Sequence, residues 1–426
     1  MIPLIWNYAA AAPLVQQRSG PLSQARFLAR AQALAQRLPE ATYAINHCET
    51  RDGFLLAFAA ALLRGQTNLL PPSAAPGALT DLIARYPDSY VLTESRLPLC
   101  GAPRILVNPA DDAGEWSGEV PQIAGDHRAA LVFTSGSTGA AQPHFKLWRT
   151  FFGTAQQAAQ RFLNGAHAQM AATVPPQHMY GLETTALMAL CAGCVMHHGK
   201  PFYPADVREA LTALEAPRVL VTTPVHIRAL LAADVELPPL QLILCATAPL
   251  SAELAARAEK KFAAPLHEIY GFTEAGSIAS RRTTVSRAWE MYPGLTLRAG
   301  QVRGPHLPLP VPLSDAVEAD GDSRFTLLGR PDDMLKVAGK RASLQDLTLK
   351  LLDVPGVRDG VVFLPDAAER PAALVVGEAT EPDILAALAA SMDAVFLPRP
   401  LKKVERLPRN ETGKLPRAAL LQALNS

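Results

Sequence analysis

The sequence predicts an α/β protein, with a large N-terminal body of mixed and parallel sheet and a small α+β domain after it. Three observations carry this. From residue 129 onward, short apolar runs ending at Gly, Ser, Thr or Pro clusters alternate with segments of helical spacing. Strands buried on both faces and joined by helices give this pattern. After Arg330 the character changes, and helix-like and strand-like stretches share fewer than 100 residues. The chain has 426 residues, which at roughly 150 residues per domain gives two or three domains. The boundary is read as 1–330 and 331–426.

The elements follow in order. Ser23–Gln36 has helical spacing, Phe54–Leu63 reads as a buried helix, and Ser89–Leu92 reads as a strand. Ala129–Thr134 (AALVFT) is a buried strand that runs into a Gly/Ser/Thr loop. Arg218–Thr222 and Leu240–Cys245 are further buried strands, and Ala252–Phe262 is the helix after the second. Residues 293–312 are rich in Pro and Gly and predict a rim of short strands. Beyond 330, Leu344–Leu352 and Pro382–Ser391 predict helices, and Val361–Leu364 and Ala373–Val376 predict strands.

Composition narrows the function. The chain is 49% hydrophobic and 19% charged, an ordinary globular balance. Lys plus Arg number 40 against 39 Asp plus Glu, for a net charge of +1. That balance supplies no general attraction to nucleic acid or anionic membrane, so an anionic ligand needs a local site. Five cysteines, Cys48, Cys100, Cys191, Cys194 and Cys245, are too scattered for a disulfide scaffold. The N-terminus lacks a basic segment before its apolar stretch, which argues against a signal peptide. Phe54–Leu63 falls short of the ~20 apolar residues that cross a bilayer. The expectation is a cytoplasmic protein with no membrane insertion and no nucleic-acid partner.

Four motifs carry chemistry. Thr134-Ser135-Gly136-Ser137-Thr138-Gly139 follows directly on a strand. Its glycines allow close backbone approach, and its hydroxyls and amides make a neutral cradle for phosphate oxygens. No Gly-Lys-Ser/Thr follows, so it is not a Walker A loop; taken alone, it also fits an exposed turn. Tyr270-Gly271-Phe272-Thr273-Glu274 offers a ring to stack on a base, a hydroxyl for phosphate and a carboxylate for Mg²⁺. Leu313-Ser314-Asp315 precedes Gly329-Arg330-Pro331-Asp332-Asp333 and then Lys336–Arg341. There an acceptor-only Asp suits ribose hydroxyls and an Arg gives a forked donor. Pro408–Lys414 presents a lysine near the C-terminus. Each motif alone also reads as a turn, a charged hairpin or a basic tail.

The four in this order resemble the adenylate-forming (ANL) superfamily, which holds acyl-CoA synthetases, aryl-acid ligases, peptide-synthetase adenylation domains and luciferases. The resemblance runs from about residue 129 to 417. It implies a two-step enzyme that uses ATP and Mg²⁺ to make an acyl-AMP, then transfers the acyl group to a pantetheine thiol. It implies that Thr134–Gly139 wraps the triphosphate and that Tyr270 stacks on adenine beside Gly271. Thr273 would meet the α-phosphate and Glu274 would bind Mg²⁺. Cys245–Leu250 resembles an adenine-lining segment that includes Ala248, with Ala246 where Gly is usual. Asp315 and Arg330 would contact ribose, although Leu-Ser-Asp replaces the usual Thr-Gly-Asp. Asp332 would be the hinge of a mobile C-terminal domain, Lys414 the lysine of adenylation, and Lys336 part of the segment that shapes the thiol tunnel.

The loop departs from the family's Gly-x-Pro-Lys and continues Gly139-Ala140-Ala141-Gln142-Pro143-His144-Phe145-Lys146. The nearest lysine is Lys146: either it reaches back to the phosphates or that contact is absent, and the expectation is that it lies near the site. This longer form resembles that of compact ligases from aryl-polyene pigment pathways. Pro175–Gly181 resembles the segment lining the acyl pocket, and His178 falls where amino-acid-activating members carry an aspartate for the substrate ammonium. A His there implies an acid without an α-amine, and the resemblance to the compact form implies one of hydroxybenzoate or hydroxycinnamate type, with an acyl carrier protein or CoA as acceptor. The alternatives are an ATP-binding hydrolase or kinase without acyl transfer, and a degenerate, non-catalytic ATP-binding protein. Cys191 and Cys194 with His197 and His198 have ligand types that zinc accepts, but their apolar flanks favour a buried structural segment. Lys402, Lys403 and Arg406 form a candidate basic patch for an acidic carrier protein.

Overall fold

A computed structural model describes residues 1–71, 76–96, 103–134, 142–329, 334–337, 340–366, 368, 370–409 and 415–426. Two large sheets dominate. In an eleven-stranded sheet, the strands Pro13–Gln17, Val195–His197, Gln169–Ala172, Arg218–Thr222, Leu242–Cys245 and Leu266–Phe272 run parallel in that spatial order. Antiparallel strands continue the sheet past Leu266–Phe272, beginning with Gly276–Arg281. In a six-stranded sheet, Arg128–Thr134, Thr67–Leu69, Tyr43–Asn46, Ser89–Thr93 and Arg104–Leu106 are parallel, and Gln142–Leu147 pairs antiparallel at one edge. The central strands are short apolar runs such as LILC, buried along their whole length. Burial on both faces explains why they lack alternation.

The helices obey local rules. Ala252–Phe262 starts at Ser251, whose hydroxyl accepts the Leu254 N–H at 3.2 Å. It buries Leu254, Ala255, Ala258 and Phe262 on one face and carries Lys260 and Lys261 in its last turn, where cations are favoured. The apolar run at Phe54 begins its helix earlier than expected, at Arg51, because Thr50 caps the Gly53 N–H at 3.2 Å. That helix is buried almost all round. Trp148–Leu163, Pro204–Thr212 and Arg417–Asn425 are helices that the sequence reading did not assign. Among the described residues, no helix is long and apolar enough to cross a membrane.

The Pro- and Gly-rich stretch forms a three-stranded rim, Thr296–Arg298, Gln301–Arg303 and Val311–Pro312. Near the C-terminus, Val357–Phe363 pairs antiparallel with Ala372–Gly377, which pairs parallel with Leu401–Lys403. A bulge between Val357 and Asp359 lets that first strand begin before the apolar run at Val361. Helices Leu344–Leu352, Glu381–Ser391 and Arg417–Asn425 join these strands in two apolar clusters drawn wholly from residues 335–424.

Candidate active site

Parallel strands end together, and their carboxyl ends open a cleft in folds of this kind. Here the cleft encloses about 1420 Å³. After strand Leu242–Cys245 the chain contributes Ala246–Pro249, and after Gln169–Ala172 it contributes Pro175 and Gln177–Tyr180. The end of Leu266–Phe272 contributes Tyr270–Glu274. From the smaller sheet come Asn46–Thr50, Leu70, Pro71, Val132 and Phe133. The far wall is C-terminal: Leu344, Gln345, Thr348, Val361–Phe363, Leu415, Arg417 and Leu420.

Thr247 adopts φ +81° on this wall. A β-branched residue in the left-handed region is strained, and such strain concentrates at ligand sites. The Tyr270 hydroxyl donates to Asp315 Oδ2 at 2.6 Å. The Tyr270 ring packs against Trp289 and Phe325, with centroids 5.4 and 5.7 Å away. Glu274 is partly exposed, with His144 Nε2 3.7 Å from its Oε1. His178 caps the short helix Met179–Gly181, its Nδ1 accepting the Tyr180 N–H at 3.3 Å. It therefore has a backbone partner while still lining the cleft.

The structure brings His178, Ala248, Tyr270, Gly271, Thr273, Glu274 and Asp315 to this one cleft. Thr134 ends the strand whose Val132 and Phe133 line it. Ser135, Gly136, Ser137, Thr138, Gly139, Arg330, Asp332 and Lys414 lie outside the described residues. Lys336 is exposed on the strand Met334–Val337 and does not line the cleft.

Lys146 comes close to the site, at the backbone of Glu274. It is buried, and its Nζ donates to the Glu274 carbonyl at 2.9 Å, from behind the loop. Burial pushes its ammonium down to about 8, against the attraction of Glu183 and Glu274. Sequence reasoning missed Glu183, which is buried, lines the cleft and accepts the Ser277 N–H at 2.9 Å and the Ser277 hydroxyl. Burial raises its carboxyl, opposed by Ser277 and Lys146. It sits in a π-helical turn, Leu182–Ala186, a distortion frequent at functional sites. The available signal was an acid inside the apolar run that ends at Cys191.

The other candidate groups have plain roles. Cys191 and Cys194 are buried, burial raises both thiols, and among the described residues no set of His, Cys, Asp and Glu could hold a metal. The Lys402 ammonium donates to the Leu424 carbonyl and Lys403 to that of Glu378, so the two lysines of the candidate patch also serve the local fold.

Comparison with known proteins agrees with this geometry. The family described as AMP-binding enzyme matches residues 101–303. A 4-coumarate–CoA ligase of Rhodobacter capsulatus is 28% identical over 82% of this chain and 95% of its own. A probable 2-succinylbenzoate–CoA ligase of Mycobacterium tuberculosis is 36% identical over 25% of this chain and 30% of its own. ATP-bound MatB from Rhodopseudomonas palustris superposes with TM-score 0.80 at 19% identity, covering 98% of this chain and 96% of that one. The o-succinylbenzoate CoA synthetase of Bacillus subtilis, in complex with its acyl-adenylate, gives TM-score 0.80 at 18% identity over 95% and 94%. The chain thus carries an AMP-binding enzyme region over residues 101–303, is similar to a 4-coumarate–CoA ligase along most of its length, and shares the fold of ATP-bound MatB and of the o-succinylbenzoate CoA synthetase.

Proposed function

We propose that this chain condenses an aryl acid of hydroxybenzoate or hydroxycinnamate type with ATP, then passes the acyl group to a pantetheine thiol of a carrier protein or CoA. A carboxylate oxygen attacks the α-phosphorus, and the bond to pyrophosphate breaks. The thiol sulfur then attacks the acyl carbon, the bond to AMP breaks, and the thiol proton leaves to solvent. Splitting one difficult transfer into two is the usual advantage of an activated intermediate.

The observation that carries the reading is the Tyr270–Asp315 hydrogen bond, made on the cleft wall beside Thr273 and Glu274. Asp315 is an acceptor for ribose hydroxyls, and Thr273 a donor to the α-phosphate. Glu274 fits Mg²⁺, since a partly exposed carboxylate gives the hard oxygen that ion prefers. When bound, the ion neutralises charge between two anions. Lys414 supplies a further cation; its neighbours Leu415 and Arg417 line the cleft. A positioned donor or cation of this kind is worth ~10²–10³ in rate. His178 and the Pro175–Tyr180 segment line the acid pocket, and a His in place of a carboxylate there suits an acid without an α-amine.

The division into a body, 1–330, and a cap, 331–426, belongs to the same reading. Its support is the pair of apolar clusters drawn wholly from residues 335–424. A cap with its own core can turn as a unit. Such a turn would take Lys414 away and bring in the segment around Lys336 for thioester formation.

Carboxylate-dependent exchange of labelled pyrophosphate into ATP tests the first half; a kinase or hydrolase shows none. A panel of aryl and fatty acids, with CoA and holo carrier protein as acceptors, then reads AMP release and thioester mass. Lys414→Ala is expected to cripple exchange and spare thioester formation from preformed acyl-AMP. Equal loss of both would refute the cap's turn.

A further inference from the structure

Behind the Tyr270–Glu274 loop lies a buried polar assembly that the chemistry above does not use. Its members come from separate segments: Lys146, Thr154, Glu183, Ser277 and His306. Two sets of contacts define it. The Lys146 ammonium donates to the Glu274 carbonyl at 2.9 Å. The Glu183 carboxylate accepts the Ser277 N–H at 2.9 Å and also the Ser277 hydroxyl. These contacts grip opposite ends of the same four residues, Glu274-Ala275-Gly276-Ser277.

The middle of the turn is also confined. Gly276 adopts φ +82°, and a Cβ there would overlap Glu183 Oε1. A Cβ on Gly271 would overlap the Gly276 carbonyl. The Glu183 carboxylate therefore closes one side of the turn, and the Gly271 backbone closes another.

Burying an ammonium and a carboxylate costs several kcal/mol per ion, and well-packed apolar residues of the same volume often do as well for stability alone. A lysine and a glutamate kept in the core therefore point to a task beyond filling space. Both side chains end on one loop, and that loop carries the two groups assigned to phosphate and magnesium.

We propose that Lys146 and Glu183 are positioning residues, which lock the 274–277 turn and so set Thr273 and Glu274 on the cleft wall for adenylation. Lys146 does this through a backbone carbonyl, with no phosphate contact of its own. The inference rests on the proposed roles of Thr273 and Glu274. It goes beyond them by naming what fixes those groups, and it predicts effects on one half-reaction. A misplacement of about 1 Å can cost ~10²-fold in rate. Transfer from a preformed acyl-AMP expels no pyrophosphate and needs no Mg²⁺ at Glu274, so it depends far less on the turn.

The test compares wild type with Lys146→Met and the near-isosteric Glu183→Gln, using Mg²⁺ titrations of pyrophosphate exchange, of ATP binding, and of thioester formation from preformed acyl-AMP. The expected result is exchange down ~10–100-fold, with the Mg²⁺ half-saturation for exchange and for ATP binding raised at least fivefold or so by the displaced carboxylate. Thioester formation stays within about twofold of wild type. Equal loss in both half-reactions with an unmoved Mg²⁺ titration would show a merely structural pair and overturn the inference; so would full exchange in both variants. Should Lys146→Met fail to fold, Glu183→Gln decides alone. A wild type that binds ATP with Mg²⁺ but exchanges nothing would refute the acid-activation reading instead, and the Mg²⁺ dependence of ATP binding in the variants would still decide the positioning role.

Discussion

The Tyr270 hydroxyl donates a 2.6 Å hydrogen bond to Asp315 Oδ2, joining the end of a central strand to a loop 45 residues further along the chain. Each side chain thereby fixes the other. A hydrogen bond to a charged group contributes roughly 1.5–3 kcal/mol. Tyr270→Phe keeps the ring but frees the carboxylate, so the KM for ATP should rise about tenfold with kcat little changed, the mark of a lost uniform binding interaction. Steady-state kinetics in ATP checks this, and a fall in kcat alone would place Tyr270 in the chemistry.

Asp359 joins the C-terminal strands to a helix beside the large sheet. Its carboxylate accepts from Arg409 Nε at 3.0 Å and from Arg409 Nη2 at 2.7 Å, while Arg228 Nη1 stands 4.0 Å from Oδ1. Arg228 belongs to the helix Pro224–Ala232 beside the large sheet, and Asp359 to the C-terminal strands. In this arrangement Leu415 and Arg417, neighbours of Lys414, line the cleft. Arg228→Gln should therefore slow pyrophosphate exchange two- to fivefold, corresponding to a contact of about 0.5–1 kcal/mol. Thioester formation from preformed acyl-AMP should hold or rise. A parallel fall in both rates would mean that Arg228 has no bearing on the orientation of the C-terminal residues.

The fold was legible wherever one short window held its whole cause. Ser251 caps, Phe262 is the last buried residue, and the helix between them has the expected bounds. The apolar runs at 129, 218 and 240 hold strands, the last beginning at Leu242, because burial on both faces demands such runs. The site was legible where motifs sit at strand ends, so that Tyr270, Thr273, Glu274 and Asp315 come to one cleft. Glu183 escaped, and so did the Glu274 carbonyl as the partner of Lys146, for a physical reason. Charged side chains are expected outside, and the partners that keep these two inside lie 128 and 94 residues away in sequence. No window around Lys146 contains Glu274.

His306 supplies a pH prediction. It is buried, its Nε2 is 3.4 Å from the Thr154 hydroxyl, and its carbonyl accepts from Thr150 Oγ1 at 3.2 Å. Burial, with Lys146 nearby, pushes it down to about 4. The unfolded chain holds its histidines near 6.5, so below that pH the unfolded state binds the proton first. The neutral imidazole thus contributes stability that is present above about pH 6.5 and lost as pH falls towards 4. His306→Gln should remove about 2 kcal/mol of the stability difference between pH 7.5 and pH 5. Urea midpoints at the two pH values measure it; an identical pH dependence in the variant would mean that His306 titrates normally.

Arg51 supports the acid pocket from inside the core. Its guanidinium is fully buried, with Nη2 donating to the carbonyls of Ala172 at 3.0 Å and Val174 at 2.8 Å, and Nη1 to Thr185 Oγ1 at 3.0 Å. Burial pushes it down to about 10, which still leaves it charged at neutral pH. The carbonyls belong to the segment that runs on to Pro175–His178, and Thr185 to the turn that carries Glu183. A lysine ammonium has no fork to serve acceptors on both segments, and each acceptor left dry costs about 1–3 kcal/mol. Arg51→Lys should therefore lower stability by about 2–4 kcal/mol. It should also raise the KM for the acid more than that for ATP, because the segment it releases lines the Pro175–Tyr180 side of the cleft. A urea midpoint lowered without a change in slope, together with the two KM values, tests both effects. Equal rises in the two KM values would mean that Arg51 holds the whole cleft and not the acid pocket in particular.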